Sequence, residues 1–186
     1  MPTVKRAVAL LVLVTLSICV RADQTKPELD GLFRALKQSG DLIKISMIQN
    51  QIWVHWYELP EEARALQTTF DQGILALQLG QPKIAIEHFG RVIEAAPKFA
   101  EGWNRRATAY FMVGDFKASL RDIQQTLALE PRHFGALGGL SMILENTMQY
   151  DKAIQAEKLL LKLMPENGLI KERIQNLRTQ ALESRI

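Results

Sequence analysis

The chain has 186 residues, of which 47% are hydrophobic and 23% charged; these are values of an ordinary folded soluble protein, and the length suits one compact unit. Its 23 basic residues fall to the number of its acids, 20, once Lys5, Arg6 and Arg21 of the N-terminal leader are set aside, so the global basic footprint that phosphate binding needs is absent. The only cysteine, Cys19, also lies in the leader, which excludes a disulfide, a thiol nucleophile and a thiolate metal site from the mature chain.

Lys5 and Arg6 precede an apolar run from Ala7 to Val20. Val20-Arg21-Ala22 then puts small or branched residues at the −3 and −1 positions of a cleavage site. This layout reads as a secretory signal peptide over residues 1–22, cleaved after Ala22. The run of 14 residues is shorter than the roughly 20 that span a bilayer, so no membrane span is expected in the mature chain. Ile18 is too large for the residue before a lipidated cysteine. Export is therefore expected, with the periplasm as destination.

Residues 23–60 predict a helical hairpin. Pro27 suits a first helical position, and Leu29, Leu32, Phe33 and Leu36 form one stripe. After the turn Ser39-Gly40-Asp41, a second helix to about Glu58 carries Ile45, Ile48, Ile52 and Trp56, with Trp53 beside them, and Pro60 ends it. This hairpin is expected to cap the chain's N-terminal end by burying one face of the unit that follows.

From there a fixed period dominates. Pro97, Pro131 and Pro165 are 34 residues apart, and so are Ala85, Ser119 and Ala153, and Gly73, Ala107 and Ser141. Units at 66–99, 100–133 and 134–167 each predict two amphipathic helices. Small residues in fixed columns let paired backbones approach, since packed helices lie about 8–10 Å apart. One unit cannot bury its apolar face alone, and stacking makes the core continuous. Residues 168–186 predict a closing helix with Ile170, Ile174 and Leu177 inward and Lys171, Glu172, Arg173 and Arg178 in water. Gly138-Gly139 within a predicted helix reads either as close packing or an opened groove, or as fraying near the helix start.

The unit 100–133 carries Trp103, Ala107, Tyr110, Gly114, Phe116, Ser119 and Pro131, a pattern that resembles the tetratricopeptide repeat. It departs from that pattern at Arg106 and Ser119. The flanking units depart further, with Thr69 and Ala76 in the first and Leu137, Leu144 and Met148 in the third. The whole chain resembles small exported bacterial proteins of this kind. The resemblance implies an all-α, right-handed α-solenoid of three helix-turn-helix repeats, a protein partner, and a concave face lined by the first helix of each repeat. In register, that lining is Phe70, Ile74 and Leu77, then Asn104, Arg105, Thr108, Phe111 and Met112, then Met142, Glu145 and Asn146. Asn104 and Arg105 are the expected anchors, because arginine holds a carboxylate by two parallel hydrogen bonds. The bland alternative is that Arg105 and Arg106 are solvated or pair with Glu101 or Asp122. Some family members grip a chaperone's C-terminal carboxylate with lysines, asparagines and arginine. The matching positions here are Phe70, Ile74, Arg105, Gly135 and Gly139, which disfavours that function.

No catalytic constellation is visible. His55 and His133 each have a glutamate three residues away, Glu58 and Glu130, two ligands where a metal needs three or four. There is no nucleophile elbow, phosphate loop or H-E-x-x-H. The expectation is a non-enzymatic module with no cofactor or metal and no nucleic-acid partner, binding a peptide or helix segment. The alternative is a scaffold that self-associates or docks through Phe33, Trp53 and Trp56 of the hairpin. The plain reading of those aromatics is core packing against the first repeat.

Overall fold

Among residues 27–184, which the computed structural model describes, there are nine α-helices, one 3-10 helix and no strand. The leader, residues 1–22, lies outside them. The hairpin is α1 (Pro27–Gln38) and α2 (Leu42–Tyr57), followed by the 3-10 helix (Glu61–Leu66). Three antiparallel pairs stack next: α3 (Gln67–Gln78) with α4 (Pro82–Ala95), α5 (Ala100–Met112) with α6 (Phe116–Leu129), and α7 (Phe134–Asn146) with α8 (Tyr150–Leu163). The last helix, α9 (Gly168–Glu183), packs on α8. No described helix is long and apolar enough to cross a membrane.

The small columns are buried throughout: Gly73, Ala85, Ala107, Ser119, Ser141 and Ala153. A Cβ on Gly73 would lie 2.7 Å from Phe89 Cε1, so only glycine admits that ring. Ser119 stands where alanine is usual because its hydroxyl donates to the Ala107 carbonyl of the facing helix at 2.7 Å. Ser141 donates to the buried Glu157 at 2.6 Å. Neither hydroxyl is left unpaired in the core, which would carry a desolvation penalty.

The turns explain another departure. Gly80 and Gly114 have φ of 67° and 80°, and Met148, in the same column, is forced to 57°. The left-handed conformation costs a side-chain-bearing residue about 1–2 kcal/mol. Met148 is 74% exposed, so little burial opposes a change. Met148→Gly is expected to raise stability by about 1 kcal/mol, read as a melting temperature a few degrees higher.

The hairpin does not cap the first repeat. Its core residues Leu29, Phe33, Leu36, Ile45, Ile48, Ile52 and Trp56 share one cluster with Phe134, Leu137, Leu144 and the inner faces of α8 and α9. Gly40 lies against Glu166, and Gln49 Nε2 reaches Met164 Sδ at 3.5 Å. At the other end of α2, Tyr57 meets the edge of Phe70. A helix of 16 residues is about 24 Å long at 1.5 Å per residue. Thus α2 runs back along the solenoid from the third repeat to the first, as a strap across the interrepeat loops. The reason is ring size. Trp56 needs a flat, deep surface and finds it on His133, stacked at 4.0 Å between centroids and 9° between planes. Trp53 enters where Gly135 has no side chain, since a Cβ there would lie 2.7 Å from Trp53 Cη2. Outside the loop, Arg132 Nη1 clamps Asp30 of α1 at 2.7 Å and lies over the Phe33 ring.

What covers the first repeat is the shorter segment after α2, where Leu59 and Ala63 join Phe70, Phe89 and Phe99 in a second cluster. The cover is partial. Leu75 occupies the column of Ala109 and Ile143, both buried by the stack, yet is 52% exposed, because the hairpin that was expected there packs elsewhere.

Candidate protein-binding groove

At the loop edge of the repeats the polar residues are spent on one another. Glu101, in the first turn of α5, is fully buried. It accepts from Asn104 Nδ2 at 3.1 Å, from Arg105 Nε, and from His133 Nε2 at 2.9 Å. His133 caps α7 by accepting the Ala136 N–H at its Nδ1, which leaves Nε2 as the protonated donor to Glu101. Arg105 Nη2 also donates to the Tyr57 hydroxyl of the strap, and its guanidinium lies over both Trp53 and Tyr57. Burial works against the Arg105 cation, but Glu101 and Tyr57 outweigh it and hold its pKa above the ordinary value. Burial pushes the Tyr57 phenol up as well, with Arg105 opposing it in part; the phenol stays neutral through physiological pH.

Arg106, the charge in a core position, is answered by Asp122 of α6. The pair is bidentate at 2.7 and 3.0 Å, and the guanidinium lies over the rings of Trp103 and Tyr110. Arg173, expected in water, instead joins Glu157 at 2.7 Å and Glu145 at 2.6 Å, tying α9 to both helices of the third repeat.

These contacts divide the residues expected to line the groove. Phe70 is fully buried in the core, because the ring fills the space between Phe89 and Phe99. Asn104 is buried against Glu101, Arg105 is engaged by Glu101 and the strap, and Glu145 is engaged by Arg173. Ile74 and Leu77 are partly buried in the first repeat's cluster. Thr108, Met112, Met142 and Asn146 are exposed, and Phe111 is half-buried beside Phe116.

Four of the expected residues, Asn104, Thr108, Phe111 and Met142, meet at a notch of about 170 Å³ between α5 and α7. Its floor is Ala107, Ser119 and Ile123, and its far wall is Gly135 and Gly139. Sequence reasoning missed this floor, although Gly139 was a visible signal of it. The helix α7 is continuous across Gly138 and Gly139, so they do not mark fraying. Nothing lies within 4 Å of a Cβ on Gly138, and only Ile123 Cδ1, at 3.4 Å, approaches one on Gly139. Of the two, Gly139 lines the notch and leaves it open. Among the described residues no group of three His, Cys, Asp or Glu side chains is placed to hold a metal.

Stacked helical hairpins with small residues at the crossings and a groove along the first helices define a solenoid of interaction repeats. The chain belongs to the tetratricopeptide repeat family, whose profile matches residues 70–113 and 107–167. It is 32% identical over 149 residues to a TPR repeat-containing protein of Rhizobium etli, spanning 80% of this chain and 72% of that one. Among solved structures it resembles the first TPR domain of human RPAP3, with a TM-score of 0.60 and 20% identity over 66% of this chain and 95% of that domain. It also resembles the first TPR of Spaghetti (RPAP3) bound to an HSP90 peptide, with a TM-score of 0.58 and 21% identity over 66% of this chain and 97% of the other. At such identities the structural likeness speaks for the fold.

Proposed function

We propose that this protein is a non-enzymatic interaction module, exported to the periplasm, that takes an extended or helical segment of a protein partner on its concave face. The observation that carries the reading is the notch between α5 and α7, where Thr108, Phe111 and Met142 surround a space that Gly139 leaves open. An apolar socket beside exposed hydrogen-bonding groups is what peptide recognition uses. One apolar side chain of the partner seats in the notch, and Thr108 and Asn146 meet its backbone. The peptide complex of a structural neighbour supports the class of ligand. It does not extend to carboxylate capture, because Arg105, the sole cation at the matching positions, is committed to Glu101 and Tyr57.

Photo-crosslinking in cells tests this. A crosslinker at Met142 or Met112 is expected to trap one discrete protein in the periplasmic fraction, on a chain whose N-terminus is Asp23. The same group at Gln124, exposed on α6, is expected to trap none. Filling the notch with Gly139→Leu should abolish the adduct without lowering the melting temperature. A seated leucine-sized side chain contributes about 1.5–3 kcal/mol, so the affinity for the trapped partner should fall about tenfold or more. Equal adducts from both faces, or an adduct indifferent to Gly139→Leu, would sink the assignment.

A further inference from the structure

The helix α2 is apolar on two faces. Its inner face, Ile45, Ile48, Ile52 and Trp56, is buried in the core. On the outer face Ile43, Met47 and Val54 are 74%, 62% and 62% exposed. A helix that is apolar all round is normally covered all round. Beside this face, between α1 and α2, is an open groove of about 480 Å³ lined by Glu28, Gly31, Leu32, Gln51, Val54 and His55. Gly31 holds it open. Among the described residues a Cβ there would approach only Arg34 Nη2, at 3.9 Å, so packing among them does not require glycine. Its cost in a helix interior, about 1 kcal/mol relative to alanine, points to something that enters from outside.

We propose that this face pairs with the same face of a second copy. The two α2 helices run antiparallel about a two-fold axis, and Ile43 of each copy seats in the other's groove beside Val54 and Gly31. The face is self-complementary, as an isologous contact requires. Its apolar ends, Ile43 and Val54, flank the exposed amides Asn50 and Gln51, which both donate and accept and so can pair with their own kind. Charge supports the same occupant. Across its 16 residues α2 has no acid, and Lys44 is its single lysine or arginine, so like charges do not crowd the axis. A lipid surface would call for a row of cations on such a helix, and α2 has no row. A contact made by one helix face and a strip of α1 is expected to be small beside the about 800 Å² per partner of a standard stable interface, so the pairing should depend on concentration. The face is separate from the notch between α5 and α7, and the pairing stands or falls independently of partner binding there.

Analytical ultracentrifugation of the purified protein over a wide concentration range tests it. The native chain is expected to shift from monomer to dimer as concentration rises. Ile43→Glu and Val54→Lys, each at an exposed position, should remain monomeric with unchanged thermal melts. The double variant should regain the dimer, because each introduced acid then faces an introduced lysine across the axis. A native chain that stays monomeric at every concentration, a dimer that survives Ile43→Glu, or a double variant that stays monomeric overturns the pairing. So does a native monomer that sediments with phosphatidylglycerol vesicles and loses that binding in Ile43→Glu, which would give the face to lipid.

Discussion

Trp56→Ala is expected to lower the stability of the folded chain by about 3–5 kcal/mol, the range for removing a fully buried large aromatic. The ring is wholly inaccessible and contacts Phe33, Trp53, His133 and Phe134. At about 2–4 °C per kcal/mol for a domain of this size, the melting temperature should drop by about 6–20 °C. Trp53→Ala should cost less, since that ring is only partly buried at the strap's margin. The loss should also be uneven. Hydrogen exchange over residues 27–57 should quicken before exchange in α3 and α4, because the strap depends on Trp56 and the first repeat has its own cluster. A melt within a degree or two of native would show that the strap contributes little to the fold.

Glu101→Ala is expected to cost a similar amount, about 3–5 kcal/mol, for a different reason. Removing one partner of a buried ion pair leaves the other charge uncompensated, and here the Arg105 guanidinium, Asn104 Nδ2 and His133 Nε2 all lose their acceptor. Glu101→Gln keeps the size and one acceptor oxygen but turns an amide N–H toward a donor; it should cost about 1–3 kcal/mol, the penalty of an unsatisfied buried group. Urea denaturation of the three proteins reads both differences. A Glu101→Gln midpoint equal to the native one would mean that the charge is immaterial. Equal midpoints for Glu101→Ala and Glu101→Gln would mean that the remaining amide oxygen does nothing for Arg105, Asn104 and His133.

The two variants probe the same joint from opposite sides. Trp56 stacks on His133, and His133 donates to Glu101, so the strap and the junction of the second and third repeats share one assembly of rings and hydrogen bonds. That assembly engages Arg105 with Glu101 and Tyr57 and leaves Thr108, Met112 and Met142 exposed on the first helices of the second and third repeats.

The repeat architecture was legible without coordinates because it is written in local, periodic constraints. A small residue every 34 positions states where two backbones cross, and proline after each second helix states where the chain must leave helix. The glycine pair at 138–139 left groove, close packing and fraying all open, whereas the fates open to Arg106 included its actual partner, Asp122. The hairpin shows the limit. Its stripes identify which faces of α1 and α2 must be buried, but hydrophobic burial is non-directional, so the stripe carries no address. Only the tertiary structure, through the fit of Trp53 over Gly135 and of Trp56 on His133, decided that α2 lies along the solenoid rather than across its end. Arg105 followed from that choice. Its register on α5 was readable, but its partner Tyr57 lies 48 residues away, and a side chain's availability depends on what the fold brings beside it.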